Sequence, residues 1–358
     1  MIPLVDVRAQ YAPILGELKD RLAEVVDSGR FILGPNVQAF EQEAAEELGL
    51  AHAVGVANGT DALVLALDAL GVGPGDEVIC PSFTFYATAE AVARRGATPV
   101  FCDIDRDTLN LDPADVARRV TPRTKAIVAV HLFGRPAPIA ELPGAIPVVE
   151  DAAQAFAAPG LGDGVASTYS FFPTKNLFGL GDGGLVATGD AELADRIRLL
   201  RFHGSRDKQT FEAVGYNSRL DELQAAALRL FLPRVGAWNR ARRDAAARYE
   251  ALGLGGACEL PLDADGHVYH MYVVRSPERD LIAEALKAAG IGCQAYYRTP
   301  LHLQPVFASL GYREGSLPET ERAARENLAL PLWAGIAEAQ QGQVVECVRS
   351  ASTVGAAA

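Results

Sequence analysis

The residues best suited to chemistry in this chain are a lysine, Lys175, and an acid, Asp151. Lys175 lies in the stretch Ser-Phe-Phe-Pro-Thr-Lys-Asn at 170–176, among bulky apolar side chains that include Phe171, Phe172 and Phe178. Burial among them would favour the neutral, nucleophilic amine, which can form a Schiff base with an aldehyde. Asp151 follows the apolar run 146–149, so we expect it to end a buried strand at the edge where open α/β sheets bind ligands.

Together, these two residues predict a site for pyridoxal phosphate. A carboxylate at Asp151 could pair with a protonated pyridine nitrogen and keep the ring cationic, which makes this cofactor a strong electron sink. Each residue also has a simpler explanation when taken alone. An aspartate after a strand is commonly a helix cap or a turn former, and a lysine is commonly a solvated surface charge.

Other motifs could supply the remaining contacts of such a cofactor. The sequence Asn-Gly-Thr-Asp-Ala-Leu at 58–63 is predicted to lie where a strand turns into a helix, so that the amides of Thr60 and Asp61 face an anion. An ordinary capped helix start explains this motif equally well. Ser170 could add a hydroxyl to the same phosphate, Gln154 could donate to the phenolic oxygen, and an aromatic residue within 83–86 could stack on the ring.

Length and composition predict a large globular enzyme. The chain has 358 residues, of which 49% are hydrophobic and 22% charged. A net charge of −12 without a Lys/Arg block argues against a nucleic-acid partner. We expect no membrane partner and a cytoplasmic location, because no leader pattern and no bilayer-length apolar run is visible. The 5 cysteines are scattered without a Cys-x-x-Cys pair, so neither a disulfide framework nor a metal site is expected.

Alternating apolar runs and helix-like stretches between residues 51 and 190 predict βαβ units, and hence an α/β fold with a mostly parallel sheet. The predicted strands are 53–56, 77–80, 99–102, 126–130, 147–149 and 184–188, and the predicted helices in this region are 61–70 and 86–95.

The character of the sequence changes after residue 189, where long charged helices are predicted at 192–201 and 219–252. We expect a large domain over 1–240 and a smaller C-terminal α+β domain over 241–358. About the first 12 residues of the chain are expected to pack on the small domain. The elements predicted for the small domain are a strand at 269–274 and helices at 280–289 and 318–328.

Six motifs, in order along the chain, resemble those of the DegT/DnrJ/EryC1/StrS family of nucleotide-sugar aminotransferases. This resemblance covers nearly the whole chain and implies fold type I of the pyridoxal phosphate-dependent transferases, the aspartate-aminotransferase-like fold. The motifs are Asn-Gly-Thr-Asp-Ala-Leu at 58–63, Pro-Ser-Phe-Thr-Phe at 81–85, His-Leu-Phe-Gly at 131–134, Glu-Asp-Ala-Ala-Gln-Ala at 150–155, the lysine motif at 170–176, and Gly-Tyr-Asn-Ser-Arg-Leu-Asp-Glu-Leu-Gln-Ala-Ala at 215–226.

The resemblance implies a role for each site residue. Lys175 would hold the cofactor through a Schiff base, Asp151 would bind the pyridine nitrogen, Gln154 would bind the phenolic oxygen and Phe85 would stack on the ring. The second subunit of a homodimer would complete the site. The residues implied at the phosphate are Gly59, Thr60, Asp61 through its backbone, Ser170, and Asn217 from the partner subunit. The residues that resemble positions approaching the nucleotide sugar from the partner are Arg219 and His302.

The resemblance further implies a reaction. An amino group would pass from L-glutamate, by way of pyridoxamine phosphate, to a keto-hexose of a nucleoside diphosphate, with the freed Lys175 amine shuttling the proton. A 3-keto sugar is favoured over a 4-keto sugar, and the nucleotide, UDP or dTDP, is left open. The product would serve amino-sugar biosynthesis for a polysaccharide or a natural product. The alternatives are a sugar dehydratase, in which histidine replaces the lysine, and a non-catalytic regulatory protein that binds the cofactor.

Overall fold

A computed structural model of the chain describes residues 1–355, which contain all the elements named below. The strands are β1 (His52–Val56), β2 (Glu77–Pro81), β3 (Thr98–Cys102), β4 (Thr124–Val130), β5 (Val148–Asp151), β6 (Ala166–Ser170), β7 (Gly184–Thr188), β8 (Tyr272–Arg275) and β9 (Asn327–Leu330). The helices are α1 (Val7–Tyr11), α2 (Leu15–Ser28), α3 (Pro35–Leu48), α4 (Gly59–Ala69), α5 (Ala87–Arg94), α6 (Pro113–Arg119), α7 (Ala191–Arg201), α8 (Glu222–Phe231), α9 (Val235–Ala251), α10 (Arg279–Ala288), α11 (Pro318–Glu326) and α12 (Glu338–Gly355).

A large, mostly parallel sheet organises the first part of the chain. Its strand order is β1-β7-β6-β5-β4-β2-β3. The pairs β2–β3, β2–β4, β4–β5 and β5–β6 are parallel, whereas β7 runs antiparallel to both of its neighbours. This arrangement confirms the predicted α/β fold with a mostly parallel sheet.

Helices cover both faces of this sheet. Successive side chains of a strand point to opposite faces, so neighbouring residues of one strand show what packs on each face. In β7, Val186 packs in one cluster with residues of α4, α5 and α7. Its neighbours Leu185 and Ala187 pack in another cluster with residues of α3 and α8. All 5 residues of β7 are buried, as expected for a strand covered on both sides.

The carboxyl ends of the strands bring the predicted site residues to one edge of the sheet. Asp151 is the last residue of β5 and Ser170 the last of β6, and these strands pair in parallel. The strand β1 points the same way as β6, because each is antiparallel to β7, and α4 begins shortly after it at Gly59. The lysine loop connects β6 to β7, so Lys175 comes to the same edge.

The last part of the chain forms a second core around β8 and β9, which pair antiparallel. Ile2 packs in this core, and its amide donates to the carbonyl of Gly290 at 3.0 Å.

The boundary predicted at residue 240 falls inside α9, and the division into two domains stays a prediction. Residues 356–358 of the predicted small domain lie outside the described part. In the part that is described, each helix is too short or too polar to cross a lipid bilayer.

The prediction leaves out the helices α1, α2, α3, α6 and α12, and three further elements differ from it. The strand β6 was not predicted, because it is short and carries Ser167 and Thr168, polar residues that are nevertheless buried. The single helix predicted over 219–252 is two helices, α8 and α9, separated by a 3-10 turn at Leu232–Arg234; the turn contains Pro233, which has no amide hydrogen to donate. The helix predicted over 318–328 ends at Glu326, and the chain continues as β9.

Candidate active site

A cavity of about 810 Å³ opens at the carboxyl edge of the large sheet, a volume typical of small-molecule sites. Residues from the ends of β5 and β6, from the start of α4 and from the segment 294–304 line it. Of the residues predicted to bind the cofactor, those that line the cavity are Gly59, Thr60, Phe85, Asp151, Gln154, Ser170 and Lys175.

Lys175 lies in a turn that closes when its amide donates to the carbonyl of Phe172 at 2.9 Å. Burial lowers the pKa of the Lys175 amine to about 8, against the opposing effect of the Asp151 charge. Phe171 and Phe178 are buried as predicted, but Phe172 is 51% exposed and lines the cavity. The expectation that all three phenylalanines bury the lysine is therefore corrected for Phe172. A substantial fraction of the Lys175 amine is neutral at slightly alkaline pH, as a Schiff-base lysine requires.

Asp151 is 6% exposed and faces the cavity. Burial raises the pKa of its carboxyl, while hydrogen bonds oppose the shift. The first comes from the Thr88 hydroxyl to Oδ2 at 2.8 Å, and the second from the Ala153 amide to Oδ1 at 3.3 Å. A cation placed beside this carboxylate would offset the cost of keeping it ionised.

Thr88 was not identified from the sequence. It lies in the first turn of α5 on a fully buried face, and its hydroxyl also lies 3.2 Å from that of Thr84. One feature of the sequence points to Thr88. It follows Phe85 by three residues, at a place where a helix would present its side chain to the carboxyl ends of the strands.

The start of α4 and the end of β6 form a tight junction. Asn58 caps the helix by accepting from the Asp61 amide at 2.8 Å. A Cβ atom built on Gly59 would lie 2.6 Å from the Cβ of Ser170, so that only a glycine lets the helix start approach this closely. The amides at the helix N-terminus and the two hydroxyls of Thr60 and Ser170 thus bound one end of the cavity, which suits a phosphate.

One predicted phosphate contact is altered by this geometry. The Asp61 amide is already engaged by the Asn58 side chain, and Asp61 is not among the described residues that line the cavity. A phosphate would have to share that amide with the cap. The helix-cap explanation of this motif and the anion-site explanation therefore both apply to it.

Gln154, which also lines the cavity, is oriented for hydrogen bonding. Its Oε1 accepts from the Phe133 amide at 2.7 Å, which leaves Nε2 pointing to the Tyr297 hydroxyl at 3.4 Å. The Tyr297 ring also packs against Phe85, with 6.2 Å between ring centroids. Tyr297 was not identified from the sequence, although it lies in the segment 296–302 that leads into the predicted residue His302.

Asn217 and Arg219 do not line the cavity of their own protomer within the described residues. They lie on the loop before α8, where the Arg219 guanidinium donates to the Asn217 side-chain oxygen. Asn217 is exposed. Its placement is compatible with the predicted contribution to a partner's site, which stays a prediction.

His302 is a correction to the predicted site. Its side chain is 1% exposed, and both ring nitrogens are engaged inside the protein. Nδ1 accepts from the Ser82 hydroxyl at 2.7 Å, and Nε2 donates to the Glu321 carboxylate at 3.2 Å. As placed, His302 connects two segments of the chain and does not reach a substrate.

A second histidine, His270, lines the cavity and was not identified from the sequence. It is 1% exposed, and its Nδ1 has no hydrogen-bond partner among the described residues. Burial, reinforced by the charge of Lys175, lowers the pKa of His270 well below its usual range. The imidazole next to the lysine is therefore neutral at physiological pH.

The residues present fit pyridoxal phosphate. One amine of lowered pKa, one buried acid and one oriented amide share a single cavity with a glycine-dependent anion cradle. This donor set matches the aldehyde, the ring nitrogen, the phenolic oxygen and the phosphate of that cofactor.

Comparison with known proteins extends this match to the whole chain. Residues 14–349 match the model of the DegT/DnrJ/EryC1/StrS aminotransferase family. The chain is 49% identical to a pleiotropic regulatory protein of Geobacillus stearothermophilus, over 96% of this chain and 97% of the relative. It is 44% identical to UDP-N-acetyl-3-dehydro-alpha-D-glucosamine 3-aminotransferase of Acidithiobacillus ferrooxidans, over 97% of each chain.

The fold agrees as well. The crystal structure of DesV from S. venezuelae, in complex with a ketimine intermediate, superposes with a TM-score of 0.94 at 44% identity and 98% coverage of both chains. The aminotransferases of this family depend on pyridoxal phosphate. The crystal structure of ntda from Bacillus subtilis, for example, contains pyridoxamine phosphate. The chain thus belongs to the DegT/DnrJ/EryC1/StrS aminotransferase family and is a pyridoxal phosphate-dependent aminotransferase.

Proposed function

We propose that this aminotransferase moves an amino group from L-glutamate to the C3 ketone of a nucleoside diphosphate hexose. The observation that carries the proposal is the shared cavity, which holds Lys175 and Asp151 together with an anion cradle at Gly59 and Ser170. The position of the ketone is supported by the names of relatives. Both UDP- and dTDP-sugar transaminases among them are named for a 3-oxo substrate or a 3-amino product.

In this proposal, bound pyridoxal phosphate supplies an electron sink for the negative charge left when the donor's α-carbon loses its proton. Lys175 would hold the cofactor covalently through its Nζ. With its pKa lowered to about 8, the same Nζ would serve as the base that removes the proton from the donor's α-carbon and as the acid that supplies a proton to the sugar carbon. His270 is neutral, so it adds no positive charge beside Lys175 that would lower the pKa of the amine further.

Asp151, Thr88 and Gln154 would hold the ring. The Asp151 carboxylate would keep the ring nitrogen protonated, and the Thr88 hydroxyl fixes the orientation of that carboxylate. Nε2 of Gln154 would donate to the phenolic oxygen, with its orientation set by the bond between Oε1 and the Phe133 amide. Phe85, which is 56% exposed and lines the cavity, would pack against the ring.

We further propose that the enzyme is a homodimer whose partner subunits complete each other's sites. Phe211 is 62% exposed and Val214 is 94% exposed on the loop that carries Asn217. These exposed apolar side chains support the arrangement, because a partner subunit that receives Asn217 would also cover them. A two-fold axis would create two equal sites, with Asn217 of each subunit reaching the phosphate of the other.

Two other functions are less well supported. A sugar dehydratase of this fold would carry histidine in place of Lys175. The Geobacillus relative is named as a regulatory protein. A non-catalytic protein that binds the cofactor would use the same lysine, acid and amide to hold it, so the reaction described below, and not the cavity, separates that role from turnover.

The reverse reaction tests the proposal. Purified, cofactor-loaded protein would be mixed with 2-oxoglutarate and a panel of UDP- and dTDP-linked 3-amino and 4-amino hexoses, and L-glutamate would be quantified. We expect glutamate from a 3-amino sugar and none with Lys175→Ala. Glutamate formed from the 4-amino sugars alone would overturn the C3 assignment, and no glutamate from any sugar would overturn the proposed substrate class.

A further inference from the structure

One wall of the cavity carries a positive charge that the proposed cofactor contacts do not use. Arg298 lines the cavity together with Thr299 and Gln304. Among the described residues that line the cavity, the basic side chains other than His270 are Lys175 and Arg298. Lys175 serves the cofactor and becomes neutral during the reaction, whereas a guanidinium stays charged. Arg298 is thus the permanent cation of this wall.

The surroundings of Arg298 compensate that charge only in part. Its NH1 lies 3.3 Å from Oδ1 of Asp280, and Nε of Arg279 lies 2.8 Å from the same oxygen. Two guanidinium groups therefore share one carboxylate, and one positive charge remains. The Arg298 side chain is 52% exposed, so its pair with Asp280 is a weak tether that leaves donor groups of the guanidinium available.

The neighbours of Arg298 direct it toward the reacting centre. Tyr297, the preceding residue, contacts Gln154 and Phe85 at the ring end of the cavity. On the other side, Nε2 of the Gln304 side chain donates to the Thr299 carbonyl at 3.1 Å, which connects the two residues across the segment. The segment 297–304 thus presents a guanidinium at the cavity wall next to the place where a substrate must lie.

We propose that Arg298 binds an oxyanion of a substrate and so determines which anionic substrates this enzyme accepts. This inference rests on the proposed function, whose two substrates both carry oxyanions. One source is a carboxylate of the amino donor, and the other is a phosphate of the nucleotide sugar. A planar guanidinium matches either group through two parallel hydrogen bonds, which a lysine does not provide.

Equilibrium binding to the cofactor-loaded protein separates the two sources without relying on turnover. Calorimetry would give the Kd of glutarate, a dicarboxylate without an amine, and the Kd values of UDP and dTDP. The proteins compared would be the wild type, Arg298→Ala and Arg298→Lys. Arg313→Ala would serve as the matched control, because Arg313 is exposed and does not line the cavity in the described structure. Circular dichroism and the cofactor absorption would verify that each variant is folded and loaded.

We expect Arg298→Ala to raise at least one of these Kd values by about tenfold or more, and Arg298→Lys to recover part of the loss. A change confined to glutarate assigns the carboxylate, and a change confined to the nucleotides assigns the phosphate. Wild-type Kd values for every probe in Arg298→Ala would overturn the proposal. That outcome differs from failure of the proposed function, which would appear as absent turnover in the wild type.

Discussion

The Thr88 hydroxyl donates a 2.8 Å hydrogen bond to Oδ2 of Asp151, joining the first turn of α5 to the end of β5. This bond connects two elements that are 63 residues apart in the sequence. Because the acid is almost fully buried, the bond favours its ionised form against the effect of burial. It also holds the carboxylate in one orientation at the cavity wall.

Thr88→Val removes this bond while it nearly preserves the shape of the side chain. A hydrogen bond to a charged group contributes about 1.5–3 kcal/mol, and the part of it that acts on cofactor binding sets the loss, which predicts an affinity for the cofactor weaker by up to about 100-fold. Titration of the apoprotein with pyridoxal phosphate, followed by absorbance, measures it. Thr88→Ser keeps the hydroxyl and should bind within a fewfold of the wild type. Equal weakening in both variants would show that the methyl group, and not the hydroxyl, matters.

Gly59→Ala tests the junction between α4 and β6. The added methyl would overlap Ser170, since the two Cβ atoms would lie 2.6 Å apart. Overpacking of this kind costs about 1–3 kcal/mol of the free energy of unfolding. Adding Ser170→Gly to Gly59→Ala should restore much of the thermal stability without restoring cofactor affinity, because the hydroxyl that faces the phosphate is then gone. A double variant no more stable than Gly59→Ala would contradict this packing.

Mixing two inactive variants tests the proposed sharing of sites between subunits. Lys175→Ala and Asn217→Ala homodimers would be denatured together, refolded and compared with each variant refolded alone. If Asn217 acts in the partner's site, each heterodimer contains one site with both residues intact, and random pairing predicts about a quarter of the wild-type activity. If Asn217 acts within its own protomer, the mixture gains nothing over the separate proteins.

The lowered pKa of Lys175 predicts how fast the apoprotein captures its cofactor at different pH values. The folded-state pKa is about 8, below the ordinary lysine value of 10.5, so the amine is protonated and unreactive below pH 8. The rate of capture should therefore rise with pH through a midpoint near 8. N-acetyl-lysine, measured in parallel, corrects for titration of the free cofactor. Asp151→Asn should move the midpoint lower, because the Asp151 charge raises the pKa of the amine. A midpoint near 10.5 would contradict the burial of Lys175.

Local patterns allowed much of the sheet and the centre of the site to be predicted. Apolar runs located six strands of the large sheet, and Asp151 and Lys175 were identified as site residues from their place beside such runs. The strand β6 escaped notice, because it carries polar residues that become buried only in the folded sheet. The Thr168 hydroxyl, for example, donates to the carbonyl of Glu150 at 3.0 Å.

The residues missed or misjudged in the site depend on contacts between distant segments. Thr88 gains its role from Asp151, and Tyr297 gains its role from Gln154, 143 residues earlier. The resemblance implies that His302 approaches the substrate, but folding buries it between Ser82 and Glu321. No local pattern separates a histidine that faces a cavity from one that braces the wall behind it.

Reductive trapping shows directly whether Lys175 holds the cofactor and releases it to the amino donor. Cofactor-loaded protein would be treated with borohydride, digested and examined by mass spectrometry, with and without prior exposure to L-glutamate. We predict that the reduced cofactor is attached to the peptide carrying Lys175, and that prior exposure to L-glutamate prevents the attachment by freeing the lysine amine. Attachment to a different lysine, or attachment to Lys175 that L-glutamate leaves unchanged, would contradict the account.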